Sequence, residues 1–157
     1  MTITFRNIRE SDRDLLLALY ATTREAELAQ TGWDRAQKRA FVQMQFEAQH
    51  THYMKHYSGD SFQLILEDGA PIGRLYLGRW PEEIRIIDLI IAPERRNRGL
   101  GRQLMESLLE EARRAGKVVR IHVASFNPAM RLYKRLGFRE VAHREVYVLM
   151  EWSDDAT

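Results

Sequence analysis

The sequence predicts a mixed fold of the α/β (α+β) class, with a central sheet that carries helices on both faces. Segments with strand character alternate with stretches of helical periodicity along the whole chain. Strands are predicted at residues 62–67 and 72–77, because Asp68 and Gly69 between them form a favoured hairpin turn. The next segment, IRIIDLII at residues 84–91, is apolar at almost every position. Such a strand is covered on both sides, so we expect it in the middle of the sheet.

The region before this hairpin predicts one strand and two helices. The alternating segment ITFRNIR at residues 3–9 predicts the first strand. Ser11 or Asp12 is placed to cap the helix that follows. Residues 34–56 contain no Gly or Pro and repeat apolar residues at helical intervals, which predicts a second and longer helix.

The region after the central strand predicts two strand-helix units and a closing pair of strands. Apolar residues recur every three or four positions from residue 100 until Gly116 supplies a stop. A strand at residues 118–124 and a helix at residues 127–137 follow, with a proline in the first turn of that helix. The last strands are expected at residues 139–143 and 146–152.

Composition limits the class of protein. The 157 residues are 45% hydrophobic and 29% charged, which is typical of one globular domain, so residues 1–157 are expected to form a single domain. There is no cysteine, which excludes disulfides, thiolate metal sites and acyl-cysteine chemistry. The net charge of +2 comes from dispersed basic residues, so no nucleic-acid partner is expected. No apolar run is long enough for a membrane span or a secretory signal, which predicts a cytoplasmic protein with no membrane partner.

A glycine-rich junction stands between the central strand and the helix after it. In ERRNRGLGRQLM, Gly99 and Gly101 allow an anion to approach the backbone N–H groups at a helix N-terminus. Arg95, Arg96 and Arg98 add positive charge there, which favours a pyrophosphate over a single carboxylate. The simpler alternative is a strand-to-helix turn with solvated arginines.

Two familiar nucleotide motifs do not fit this junction. The Lys-Ser/Thr pair of a Walker loop is absent, and Leu104 stands where a dinucleotide fingerprint has its third glycine. The sequence therefore argues against an ATPase or a dehydrogenase.

Three segments together resemble the GNAT superfamily of acyl-CoA-dependent N-acyltransferases. They are the strand ending IIAP, the loop Arg96-x-x-Gly99-x-Gly101 and the later run NPAMRLYKRLGF, and they span residues 84–138. The resemblance implies a mostly antiparallel sheet of about seven strands, with a splay between the fourth and fifth strands. It also implies a single N-acetyltransferase domain that uses acetyl-CoA as the acyl donor and requires no metal.

The resemblance further implies which residues hold the cofactor. Backbone groups of the fourth strand pair with the pantetheine arm, backbone N–H groups of the loop hold the pyrophosphate, and an asparagine and a tyrosine after the fifth strand contact the arm and thiol. In this chain these residues are Leu89, Ile90, Ile91, Arg96, Asn97, Arg98, Gly99, Leu100, Gly101, Arg102, Asn127 and Tyr133.

Acyl transfer to an amine needs an acid and a base. By resemblance Tyr133 is the acid that protonates the departing thiolate, and the alternative is a tyrosine that only packs on the sheet. His122 and Asp88 are both candidates for the base, directly or through an ordered water. His122 stands five residues before Asn127, where the branch that acetylates protein N-termini has a glutamate. Asp88 interrupts an apolar strand, so it is either structural or functional.

The long predicted helix contains two further features. His52 and His56 have the i, i+4 spacing of a metal pair, but a solvated helix face is the preferred interpretation and no metal is expected. Aromatic residues of this region and beyond are available to wall an acceptor pocket, although core packing explains them equally well. They are Trp33, Phe46, Tyr53, Tyr57 and Trp80.

The expected function is direct transfer of an acetyl group from acetyl-CoA to a primary amine of a small molecule, peptide or protein. The alternative is a non-catalytic acyl-CoA-binding regulatory module. A toxin acting on aminoacyl-tRNA is a third hypothesis, with little support from the dispersed basic charge. The sequence does not specify the acceptor or the acyl chain length, and a homodimer is common in the superfamily.

Overall fold

The computed structural model describes residues 2–57 and 61–154. The strands are β1 (Ile3–Asn7), β2 (Ser61–Glu67), β3 (Ala70–Arg79), β4 (Glu83–Ile91), β5 (Val118–Ala124), β6 (Arg139–Arg144) and β7 (Tyr147–Trp152). The helices are α1 (Arg13–Thr22), α2 (Glu25–Leu28), α3 (Arg35–His56), α4 (Leu100–Ala115) and α5 (Met130–Arg135), with 3-10 turns at Glu10–Asp12 and Pro93–Arg95. The predicted mixed fold and its order of elements are confirmed.

The seven strands form one sheet in the order β1-β2-β3-β4-β5-β7-β6. β4 is the fourth strand of seven, as its two-sided apolar pattern predicts. β1 pairs antiparallel with β2, β7 pairs antiparallel with both β5 and β6, and β4 pairs parallel with β5. The mostly antiparallel sheet is therefore confirmed, with the parallel pair β4–β5 at its centre.

The parallel pair β4 and β5 separates partway along its length. Its register runs from Glu83 opposite Val118 to Ile86 opposite Ile121. Beyond this point β4 continues to its end at Ile91, while residues 122–124 of β5 remain paired with β7. This is the predicted splay between the fourth and fifth strands.

Two compact units make up the chain, the first from residues 1–75 and 89–95 and the second from residues 76–88 and 96–157. In the first unit, α1 packs against α3 around a core of buried side chains. These core residues are Leu16, Tyr20, Leu28, Val42, Phe46 and Leu64. Asp12, directly before α1, is 8% exposed. Its carboxylate accepts hydrogen bonds from Arg6 at 2.9 and 3.0 Å and from the Arg9 N–H at 2.7 Å.

In the second unit, α4 packs against β5. Its buried stripe consists of Leu100, Leu104, Met105, Leu108, Leu109 and Ala112, which is the periodicity that the sequence shows. Gly116 ends the helix with φ 68°, a left-handed conformation that favours glycine. The helix prediction and its stop are confirmed.

Local details differ from the sequence prediction at three places. α5 begins at Met130 rather than at residue 127, because Asn127 and Pro128 form a turn in which Asn127 Oδ1 accepts the Ala129 N–H at 2.9 Å. The carboxylate of Asp12 does not accept a hydrogen bond from the N-terminus of α1, because it accepts hydrogen bonds from Arg6 and from the Arg9 N–H instead. α2 is an additional short helix that the periodicity did not indicate.

The predicted hairpin at Asp68 and Gly69 is present, with positive φ angles of 49° and 86° at the two residues. Both values suit the tight turn that Asp-Gly pairs favour.

Among the described residues, no helix combines the length and apolar character that crossing a membrane requires.

Candidate active site

The junction after β4 has the backbone geometry of an anion cradle. Gly99 has φ 80°, a conformation that costs a residue with a Cβ, and it directly precedes α4. The first bond of the helix runs from the Gln103 N–H to the Gly99 carbonyl at 3.0 Å. The N–H groups of Leu100, Gly101 and Arg102 lie ahead of that bond and have no acceptor within the helix. They can therefore donate to an anion at the helix N-terminus.

The arginines of the junction do not all serve the cradle. The Arg95 side chain lies 3.1 Å from Glu67, so a carboxylate compensates its charge. Arg102 pairs with Glu106 at 2.8 Å along the helix. Arg96 and Arg98 are exposed, as is Asn97, whose φ of 61° turns the chain toward the helix. Nearby carboxylates thus compensate the charges of Arg95 and Arg102.

Residues 89–91, predicted to pair with the pantetheine arm, form the last part of β4 beyond its register with β5. They belong to the first compact unit, whereas the cradle belongs to the second. Leu89 and Ile91 are half-buried, and Ile90 is buried in the first unit beside Leu19 and Ala92. Their contact with the arm stays a prediction.

Tyr133 lies on α5 and is 6% exposed, with its ring 5.7 Å from that of Phe138. Burial, and then the nearby negative charge of Asp88, raises the pKa of the Tyr133 hydroxyl above its ordinary value near 10. The hydroxyl has no hydrogen bond to any of the residues that the structure describes. A tyrosine that stays protonated and has an available hydroxyl suits the role of an acid.

The two candidate bases lie on opposite faces of the sheet. Ile86 and Ile121 are register partners and so share a face. Side chains alternate along a strand, so Asp88 is on the face of Ile86 whereas His122 is on the other face. The burial pattern agrees, because Ile86 and Ile121 are buried and His122 is exposed. Of the two, only Asp88 contributes to the shift at Tyr133.

Charged residues of neighbouring strands surround His122. Partial loss of hydration, followed by the positive charges of Arg85 and Arg144, lowers the pKa of His122 below its ordinary value near 6.5, and Glu83 opposes this. His122 is therefore neutral at pH 7. A neutral imidazole is the form that accepts a proton.

Arg85 and Arg144 were not among the predicted site residues. The sequence contains a signal for Arg85, because period-two alternation places it on the face of β4 opposite Asp88. The position of Arg144 had no such signal, since it depends on the pairing of β6 with β7 and of β7 with β5.

The remaining predicted features lie outside this arrangement. His52 and His56 are exposed with ring centres 4.4 Å apart, and the described residues contain no cluster of three or more metal-binding side chains. Phe46 is fully buried in the core of the first unit and stacks on His50 at 5.4 Å. Core packing therefore accounts for Phe46, and it does not wall a pocket.

The other four aromatic residues also have packing partners. Tyr53 and Tyr57 pack with each other and with Phe62, at ring separations of 6.0 to 6.3 Å. Trp33, 38% exposed, packs its ring edge on Phe41 at 5.3 Å. In the second unit the Trp80 ring lies 5.6 Å from the Arg85 guanidinium.

The splayed sheet and the glycine cradle are those expected of an acyl-CoA-dependent N-acyltransferase. The chain belongs to the acetyltransferase (GNAT) family, whose model matches residues 21–138. The family resemblance read from the three sequence segments is thereby confirmed.

Two relatives are N-acetyltransferases by name. N-alpha-acetyltransferase RimI of Mycobacterium tuberculosis is 36% identical over 110 residues, which are 69% of this chain and 65% of RimI. An uncharacterized N-acetyltransferase of Methanocaldococcus jannaschii is 28% identical over 150 residues, which are 88% of this chain and 62% of that protein. The chain thus spans less than two thirds of the length of either relative.

The fold also has a solved counterpart. The crystal structure of the PaiA N-acetyltransferase from Thermoplasma acidophilum, in complex with coenzyme A, matches with a TM-score of 0.72 at 16% identity. The match covers 98% of this chain and 100% of that chain. At this identity the likeness establishes the fold.

Proposed function

We propose that residues 1–157 act as one N-acetyltransferase domain, which moves an acetyl group from acetyl-CoA directly to a primary amine of a small molecule, peptide or protein. One observation carries the proposal. Beyond Ile86 and Ile121 the pairing of the two central strands ends. Asp88, whose charge acts on the buried Tyr133, and the exposed His122 lie there on opposite faces of the sheet. A thioester between the strands is then within reach of an acid from one face and of a base from the other.

The cradle at the start of α4 binds the pyrophosphate of the cofactor. Its donors are the N–H groups of Leu100, Gly101 and Arg102, and the guanidinium groups of Arg96 and Arg98 add charge. Asn127 contacts the pantetheine arm through its Nδ2 donors, because its Oδ1 already accepts the Ala129 N–H. A Cβ at Gly99 would meet no atom within 4 Å, so the space beside this backbone is open.

Acetyl transfer requires the acceptor amine to lose protons, since an alkyl ammonium with a pKa near 10 is mostly protonated at neutral pH. The amine nitrogen forms a bond to the thioester carbon while the carbon–sulfur bond breaks. His122 takes a proton from the amine, directly or through one water. Tyr133 gives its proton to the departing sulfur and regains one as the nitrogen loses its second proton, while His122 releases the first to solvent. The charge of Asp88 helps to keep Tyr133 protonated until the sulfur departs.

The proposed acceptor class includes amines of small molecules, peptides and proteins. Similarity to an N-alpha-acetyltransferase favours peptides with a free α-amino group as one class to test. A cytoplasmic location and a homodimer both stay predictions.

Two measurements test the function. Calorimetry with acetyl-CoA should show binding, and thiol release with a panel of amines, amino acids and peptides should exceed hydrolysis for at least one acceptor. Absence of binding at millimolar acetyl-CoA would refute the proposal. Binding without acetylation of any acceptor would instead assign the chain to the alternative, a non-catalytic acyl-CoA-binding module.

A further inference from the structure

The sheet face that carries His122 is open in the second unit. Ala142, His122 and Tyr147 are exposed there, and Leu149, the register partner of His122 on β7, is half-buried. Tyr147 is 52% exposed and pairs with Ala124 on one side and Arg144 on the other, so the three share this face. An acceptor amine that approaches His122 therefore meets this surface.

Two arginines flank His122 on this surface. Arg85 shares a row of the sheet with Arg120, two residues before His122 on β5. Arg144 shares a row with Ala124, two residues after His122. With about 3.3 Å per residue and about 4.8 Å between strands, both guanidinium groups are within side-chain reach of the imidazole. Their positive charges also lower the pKa of His122.

The charges on this face do not cancel. Glu83 pairs with Arg85 at 2.9 Å and with Arg120 at 3.0 Å, and Glu151 pairs with Arg120 at 2.9 Å. These two glutamates and two arginines form a neutral network. Arg144 is outside it and forms no ion pair with any described residue. Glu145 follows Arg144 in the hairpin turn at φ 58° and is not among the charges that act on His122.

Arg85 keeps donors for a ligand although it is paired. A guanidinium has five N–H donors, and the Glu83 contact is made through Nε. Its position is fixed by that ion pair and by the Trp80 ring 5.6 Å away. A fixed arginine and an unpaired one, on either side of the base, match a substrate that carries negative charge next to its amine.

We propose that the acceptor is a primary amine bearing a carboxylate, which Arg144 and Arg85 bind while His122 receives the amine proton. This substrate class rests on the acetyl transfer proposed above, because it specifies the acceptor of that reaction. The carboxylate belongs either to a small amino acid or to an acidic residue next to a peptide N-terminus, and matched acceptors separate these sources. Arg144 acts in specificity, since it binds the charge that distinguishes these amines from neutral ones.

Kinetics with matched acceptors test the charge preference. One pair is 4-aminobutyrate and 4-aminobutanamide, and the other is the peptide amides Ala-Asp-Gly and Ala-Asn-Gly. At low salt we expect kcat/KM to favour the acid of at least one pair by about tenfold, a preference that weakens as salt is added. Arg144→Gln should reduce that ratio to about 1, whereas Arg114→Gln near the end of α4, where Arg114 pairs with Glu110, should retain it. A wild-type ratio of 1 or below in both pairs overturns the proposal.

A binding measurement separates this proposal from the acetyl transfer itself. The His122 ring is followed by NMR, with its signals assigned by their loss in His122→Gln. Saturating succinate should raise the His122 pKa by about 0.5 unit, because an anion opposes the two arginines, and neutral succinamide should not. Arg144→Gln should abolish the effect. If no amine is acetylated but succinate has this effect, the anion site stands and the proposed reaction fails. No effect of succinate overturns the anion site.

Discussion

Asp88 and His122 lie on neighbouring strands but on opposite faces of the sheet, because the β4–β5 register places Asp88 with Ile86 and His122 across from Ile121. The charge of Asp88 acts on Tyr133, the proposed acid, and His122 lies among Arg85, Arg144 and Glu83. Two residues that the sequence treats as equivalent candidates for one role thus have different surroundings and different roles to test.

The pH dependence of acetyl transfer should identify the base. His122 accepts a proton only when neutral, and its pKa lies below 6.5, so log kcat/KM should fall with unit slope as the pH drops through a value below 6.5. His122→Gln should remove this acid limb and lower kcat/KM at pH 7 by about 100-fold. His143→Gln is the control, because His143 is exposed on β6 beside Glu140. An acid limb that persists in His122→Gln would assign the proton to another group.

Removing the Tyr133 hydroxyl should affect chemistry more than binding or folding. Tyr133→Phe keeps the ring against Phe138, so the free energy of unfolding should change by less than about 1 kcal/mol. We expect kcat to fall by about 100-fold with acetyl-CoA affinity within twofold, measured by thiol release and calorimetry. A kcat within threefold of the wild type would mean that the tyrosine only packs.

Two glycines at the ends of α4 form a matched pair for testing the cradle. Gly99 and Gly116 both have positive φ, and a Cβ at either meets no atom within 4 Å. Alanine at each position should therefore cost a similar strain, about 1 kcal/mol of unfolding free energy. Only Gly99→Ala should also weaken acetyl-CoA binding, by about tenfold or more in calorimetry, because Gly99 lies at the N-terminus of α4 beside the cradle and Gly116 lies at the opposite end. Equal affinities of the two variants would place the pyrophosphate elsewhere.

The ion pair of Asp12 should make stability depend on pH. Hydrogen bonds from Arg6, aided by the Arg9 N–H and opposed by burial, lower the pKa of the Asp12 carboxyl below its ordinary value near 3.9. A lowered pKa contributes stability above the unfolded value that is lost as the pH falls through the folded one. Asp12→Asn should thus lose about 2 kcal/mol at pH 7, measured by urea unfolding, and less below pH 4. The exposed Asp14→Asn should lose little at either pH, and an Asp12→Asn deficit that is equal at pH 7 and pH 3 would contradict the assignment.

Most elements of the fold could be predicted, because local patterns specify them. The stripe of α4 and its stop at Gly116, the hairpin at Asp68 and Gly69, and the two-sided apolar strand β4 each result from short-range physics. The predicted start of α5 was wrong by three residues. The Asn127 side chain accepts a hydrogen bond in the turn before the helix, and the sequence does not show which N–H donates that bond.

The candidate site was predictable only where it depends on the backbone. Glycine at position 99 indicates a left-handed backbone conformation. The helix that starts there has N–H groups without acceptors at its N-terminus, which predicts the anion cradle. From the sequence, Arg95 was expected to add positive charge at the cradle like Arg96 and Arg98. In the structure it forms an ion pair with Glu67, which is distant in sequence. A charge that a remote partner neutralises cannot be recognised from spacing.

The sequence alone determined the order of the strands and of the helices other than α2, the glycine-rich junction, and the residues able to act as acid and base, because residue type and period are local properties. Tertiary structure decided which of these side chains meet. The register of β4 with β5, and of β5 with β7 and β6, separates His122 from Asp88 and places it between Arg85 and Arg144. Register arises from pairing between segments distant along the chain, and a shift of one residue would move every side chain of a strand to the other face.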